Sequence, residues 1–230
     1  MLDDLRKSHR NTFFQEGEGV WGIGTEPKFA IGQRALLIQN PAGNILWDCV
    51  SLIDADAIAR VQELGGISVI AISHPHYYSS MVEWSKTFGG VAIYLHEDDQ
   101  QWVQRPDPCV RFWQGETHAL NNGFTLIRLG GHFAGYQVLH SSEGEGGQGE
   151  LFTGDLPQVC MDPRWVSFMY SYPNYLPLSA RSVRRIVAAI EPFKFEKLYG
   201  AWPGFVVGAD AKAVVRRSAE RYLQALSVER

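Results

Sequence analysis

The chain has 230 residues, 21 Lys and Arg against 25 Asp and Glu, a formal net charge of -4 and 45% apolar residues. That length predicts a single domain over residues 1–230 with a sizeable core, and no stretch reads as a linker that would divide it. No basic block offers a surface for nucleic acid or an anionic membrane, and no apolar run approaches the roughly 18 residues a membrane span needs. The N-terminal Met1-Leu2-Asp3-Asp4-Leu5-Arg6 lacks the apolar segment of a secretory signal, and Cys49, Cys109 and Cys160 are odd in number and scattered. Both features predict a reducing, cytoplasmic setting without a disulfide framework.

The first third reads as strands. Arg34–Gln39 and Asn44–Asp48 flank Asn40-Pro41-Ala42-Gly43, a hairpin with turn residues in place. Asp54-Ala55-Asp56 opens a helix that Gly65-Gly66 ends. The run Ile67–Ser73 is short, apolar and β-branched, so it predicts a buried strand. A helix over 80–87, a strand over 91–95 and a short helix over 97–103 follow. The second half predicts strands near 110–113, 124–129, 136–140 and 150–153, with a flexible hairpin tip over 141–149. A helix over 179–190, a strand over 196–199 and a helix over 209–226 complete the chain. Strands followed by helix in each half predict two sheets with helices outside them.

Three strand ends carry metal-ligand chemistry. His74-Pro75-His76 follows the 67–73 strand, and Gly130-Gly131-His132 follows Phe124–Ile127. Gly154-Asp155 follows Leu151–Thr153. Glycines beside His132 and Asp155 let the backbone come close to an ion. The set His74, His76, His132 and Asp155 suits zinc, with ferrous iron as the alternative. A lone His-x-His is weak, because a strand-end histidine is often only a hydrogen-bonded group. The whole set, in order, is more specific.

The pattern resembles the metallo-β-lactamase superfamily. Ser73-His74-Pro75-His76 matches the start of that family's Thr/Ser-His-x-His-x-Asp-His motif. Gly131-His132 with Gly135, and Thr153-Gly154-Asp155, match its later blocks. The resemblance covers nearly the whole chain and implies an α/β fold, the four-layer αββα sandwich. It departs from the family at Tyr78 and Ser79, where a second metal's Asp and His should stand. It departs again over Tyr199–Gly204, which lacks the final histidine. Three missing ligands together imply that the second metal site has been given up.

The family aspartate that orients the attacking water is thus absent. Tyr77, Tyr78 and Glu83 are the nearest candidates to take over its role. Tyr78 could donate to an oxyanion or place its ring in the vacant position, while both tyrosines could simply pack. Glu83 reads rather as a surface or capping carboxylate, His96 as a helix-start residue rather than a ligand, and Cys160 as an ordinary buried thiol. His9, His118 and His140 have no partner pattern. The aromatic stretch Trp165–Tyr175 reads as an apolar wall for a substrate or as packing over the sandwich. Arg164 and Arg181 flank it.

These readings imply a hydrolase with one metal, most simply zinc, acting on a small-molecule ester, thioester, lactone or amide. Asp155 and Tyr78 are its candidate catalytic residues. A mononuclear iron oxidoreductase using His74, His132 and Asp155, or a non-catalytic metal-binding protein, are the alternatives.

Overall fold

The computed structural model describes residues 2–120 and 123–227. Met1, at the head of the charged N-terminal segment, lies outside them. The chain divides into two compact units, Met1–Trp113 with Trp202–Gly204, and Gln114–Ala201 with Phe205–Arg230.

The first unit is built on a seven-stranded sheet. Its order is Arg10–Gly17, Val20–Glu26, Ala35–Ile38, Ile45–Trp47, Val69–Ala71, Ala92–His96 and Val110–Trp113. The first three pairings are antiparallel and the last three parallel. The predicted 34–48 hairpin forms with Leu37 opposite Leu46. The edge hairpin carries an unusual contact: a Cβ at Gly22 would fall 2.1 Å from the Phe14 ring. Only glycine lets that ring lie over the neighbouring strand.

Helix Ala55–Glu63 supplies the crossover between two parallel strands. Asp54 caps it, its Oδ1 accepting from Ala57 N at 2.8 Å, and Oδ2 accepts from Asn11 N at 2.6 Å. Helix and strand residues share one core, in which Ala57, Val61 and Trp84 meet Leu37, Leu46, Ile70, Ile72 and Ile93. The predicted helix over 80–87 begins earlier, as a 3₁₀ turn over Pro75–Ser80 that passes into the helix Met81–Thr87. Pro75 at its first position explains the early start, since proline presets a helical φ and has no N–H to lose. The segment Glu97–Trp102 is also 3₁₀.

The second unit holds a six-stranded sheet. Its order is Val206–Val207, Lys197–Gly200, Glu150–Gly154, Gln137–Ser141, Phe124–Arg128 and Thr117–Ala119. Only the pairing of Glu150–Gly154 with Lys197–Gly200 is parallel. Helices Ala180–Ile190 and Ala211–Ser227 pack Val183, Ile186, Val214 and Val215 against Ile127, Val138, Leu151 and Leu198. Two short ladders lie between Asp155 and the first of these helices, Gln158–Val159 with Val166–Ser167 and Met169–Ser171 with Leu176–Pro177. The protein is thus α/β, with two large mixed sheets. Among the described residues no helix is long and apolar enough to cross a membrane.

Candidate functional site

In the first unit, His74 and His76 stand at the C-terminal end of the Val69–Ala71 strand, where the chain turns into the Pro75–Ser80 segment. His74 is fully buried and extended. A short polar chain fixes it. Asp48 Oδ1 accepts from Ser73 N at 2.7 Å and from Ser73 Oγ at 2.8 Å. The hydroxyl proton is spent there, so Ser73 Oγ can only accept from His74 Nδ1, 2.8 Å away. That places the imidazole proton on Nδ1 and leaves Nε2 with the lone pair. Asp48 reaches this position from the strand that pairs in parallel with Val69–Ala71, with φ 61°. Aspartate tolerates that left-handed backbone better than most residues.

His74 Nε2 lies 3.1 Å from His76 Nδ1. Two nitrogens bound to one tetrahedral zinc at about 2.0–2.1 Å would be roughly 3.3–3.4 Å apart. The pair therefore already has nearly the spacing of ligands that share an ion. The Tyr77 ring stands edge-on to His74 at 5.2 Å. His76 borders two recesses. One, about 80 Å³, is lined by Thr25, Phe29, Ile31, Cys49 and Tyr77. The other, about 240 Å³, is lined by Tyr78, Met81, Val82, Trp102 and Arg105.

Tyr78 is buried in the core of this unit and also lines the larger recess. Burial, followed by the charges of Asp99 and Asp48, pushes its phenol well above the ordinary value. It therefore keeps its proton at neutral pH and remains a hydrogen-bond donor. Glu83 is committed elsewhere. Arg105 Nη1 donates to Glu83 Oε1, and Arg105 Nη2 donates to Oε2 at 2.8 Å. That guanidinium holds the Glu83 carboxyl below its usual range, so Glu83 is a partner for Arg105 rather than a base. His96 starts the 3₁₀ turn as its sequence position implies, with Nδ1 accepting from Asp98 N at 3.2 Å.

In the second unit, His132 follows Gly130 and Gly131, whose φ values are 63° and 90°. A Cβ at Gly131 would lie 3.2 Å from both Leu156 and Leu178 side chains, so the turn needs glycine twice over, for φ and for space. His132 Nδ1 lies 2.6 Å from the carbonyl oxygen of Tyr170. A carbonyl only accepts, so Nδ1 carries the proton and Nε2 the lone pair, as in His74. Asp155 follows Gly154 at the end of its strand and is buried. The backbone around it is clamped. Tyr136 Oη donates to Thr153 O and accepts from Leu156 N at 2.7 Å. Thr153 Oγ1 lies 2.9 Å from Pro157 O, and Tyr172 Oη donates to Asp155 O at 3.0 Å.

The aromatic stretch is divided between two roles. Phe168 and Val166 are core residues of the second unit. Tyr170 and Tyr172 instead brace His132 and Asp155. Arg164 is closed onto Asp162 by three hydrogen bonds of 2.7–3.1 Å, and Cys160 is half-buried, its thiol pushed up by burial. His140 Nε2 bonds Lys194 O at 2.8 Å, a structural use. Sequence reasoning missed Asp48, and it noticed Ser73 only as a motif letter. An aspartate closing the strand-like Asn44–Asp48 run was the available signal. The Tyr170 brace is a backbone atom and has none.

The two sheets and their helices make the metallo-β-lactamase fold. Over 93% of this chain and 96% of the other, the structure matches the metallo-β-lactamase FIM-1 from Pseudomonas aeruginosa in its mono-zinc form, with a TM-score of 0.66 at 16% identity. DIM-1 metallo-β-lactamase matches over 95% and 99% of the two chains, with a TM-score of 0.66 at 12% identity. MEM-A1, a subclass B3 metallo-β-lactamase from a soil metagenome library, matches over 93% of each, with a TM-score of 0.60 at 20% identity. No family model matches the sequence. Within that fold class, the chain belongs to the family of the uncharacterized protein YmaE of Bacillus subtilis (strain 168). The two are 50% identical over 230 residues, 99% of this chain and 83% of that one.

Proposed function

We propose that this protein is a metal-dependent hydrolase holding one zinc ion through His74 Nε2, His76 Nδ1, His132 Nε2 and Asp155. The observation that carries this reading is the matched preparation of two imidazoles. Ser73 Oγ at His74 and the Tyr170 carbonyl at His132 each hold the proton on Nδ1 and leave Nε2 as the donor. Metal-binding histidines typically have such an outer partner on the second nitrogen. Three imidazoles and a carboxylate suit zinc.

Bound there, zinc supplies a Lewis acid for a carbonyl oxygen and a water acidified to a pKa of about 7. The protein's own part is positional. Tyr78, protonated at neutral pH, donates a hydrogen bond to the oxyanion as charge develops. Asp155 completes the ligand set. The residues at the family's second-metal positions support a single ion. Tyr78 is a neutral phenol, Ser79 Oγ lies 3.3 Å from Ser51 Oγ, and Tyr199–Gly204 contains no histidine. FIM-1, of the same fold, has been crystallised in a mono-zinc form. The substrate is a small molecule with an ester, thioester, lactone or amide bond. Nucleic acid and membrane are not partners on this reading. The free cysteines Cys49, Cys109 and Cys160 fit work in the reducing cytoplasm.

Purified zinc-loaded protein, assayed against a simple 4-nitrophenyl ester, an acyl thioester, a lactone and an anilide, should hydrolyse at least one of them. A chelator should abolish that activity and zinc restore it. Zinc-loaded protein that leaves all four bond classes intact would overturn the hydrolase reading.

A further inference from the structure

The larger recess beside His76 is formed by residues of the 3₁₀ turns Pro75–Ser80 and Glu97–Trp102 and of the helix Met81–Thr87. Its walls are Tyr78, Met81, Val82 and Trp102, with Ser79, Gln104 and Arg105 around them. Trp102 is 46% exposed, whereas Met81 and Val82 are buried and form the floor. Size separates this recess from its neighbour. A cavity of roughly 150 Å³ accommodates a benzene ring. The recess by Tyr78 has about 240 Å³ and the one by Tyr77 about 80 Å³, so only the first can take a ring or a short acyl chain.

Charge decides what kind of ring or chain. The cation in the wall is Arg105, and both of its terminal nitrogens are used. Nη1 donates to Glu83, while Nη2 donates to Glu83 Oε2 at 2.8 Å and to Ser79 O at 2.6 Å. A guanidinium closed bidentately on a carboxylate is compensated and keeps its fork occupied. It is a poor clamp for a substrate carboxylate. An anion entering this recess would be desolvated beside a guanidinium whose charge Glu83 already compensates.

We infer that the recess is the specificity pocket for an uncharged aryl or short acyl group, placed so that the neighbouring carbonyl lies beside His76. This deepens the proposed hydrolase function and rests on His76 serving that site. It commits the substrate to an apolar, neutral group on this side of the scissile bond. Trp102 and Met81 supply the contacts, and Tyr78 lines the same wall.

The test uses two uncleavable aryl ketones, neutral butyrophenone and 3-(4-carboxybenzoyl)propionate, which carries a carboxylate on each arm. Binding is read by equilibrium dialysis on chelator-treated full-length protein, so that no metal ion can ligate a probe carboxylate. Butyrophenone should bind at least about tenfold more tightly than the anion, because either carboxylate would be desolvated beside an Arg105 already closed onto Glu83. Trp102→Ala should weaken butyrophenone about tenfold by removing the aromatic face. Val82→Phe, which fills the floor, should weaken it further, and covers the case in which the tryptophan variant misfolds. Equal binding of the two ketones, or affinity unchanged in both variants, would overturn the pocket. Neither result requires turnover, so an inactive protein that still discriminates between the ketones would contradict the hydrolase reading alone.

Discussion

His132→Ala should lower zinc affinity by well over the 10–100-fold that loss of an outer-shell partner typically costs, whereas His96→Ala should change it by less than about threefold. The two residues are both buried histidines near strand ends, yet their nitrogens are used in opposite ways. His132 sits on the Gly130-Gly131 turn with Nδ1–H on the Tyr170 carbonyl, so Nε2 keeps its lone pair, as the proposed zinc site requires. His96 spends its Nδ1 lone pair on Asp98 N and packs its ring edge-on to Trp113 at 4.5 Å. Its nitrogen caps a turn. Competition of each apo-variant with a chromophoric zinc chelator measures both affinities. Equal losses would mean that the site has been assigned to the wrong residues.

Tyr78→Phe should leave zinc content unchanged and reduce turnover of any identified substrate about ten- to a hundredfold. A hydrogen bond to a charged group contributes about 1.5–3 kcal/mol, and each 1.4 kcal/mol or so is a decade in rate. The phenol qualifies as a donor because burial and the nearby Asp99 and Asp48 charges keep it protonated far above neutral pH. The same protonation makes it a poor metal ligand, which is why metal content should not respond. The effect should fall on kcat and on kcat/KM together, since the interaction forms only as the oxyanion develops. Loss of zinc in the variant would make Tyr78 a ligand. Unchanged turnover would return it to the core packing in which it also takes part.

Much of this was legible because strand ends have strong sequence signatures. The apolar run before His74 is a strand, although the ladder covers only Val69–Ala71 of the 67–73 stretch. The helix expected to open at Asp54-Ala55-Asp56 runs over Ala55–Glu63 and stops before Gly65 and Gly66, which take φ values of 104° and 74°. The second unit's main strands and both helices fall where hydrophobic pattern places them. What escaped has a physical reason in each case. The ladders at 158–159, 166–167, 169–171 and 176–177 are two or three residues long and carry no period. The Asp48–Ser73–His74 chain depends on which strands lie side by side in parallel, 25 residues apart in sequence, and no local pattern reports that. That Glu83 is held by Arg105, 22 residues further on, is also a tertiary contact that no local pattern reports. The recess beside His76 likewise draws Tyr78 and Trp102 from two separate 3₁₀ turns to one wall, which spacing alone does not reveal.

The central claim is that one ion is held by His74, His76, His132 and Asp155 while the second-metal position has been lost. The most direct measurement is elemental analysis of protein expressed in metal-replete medium and freed of loosely bound ions. The account predicts zinc near one equivalent per chain. Two tightly bound ions, iron in place of zinc, or no metal at all would contradict it.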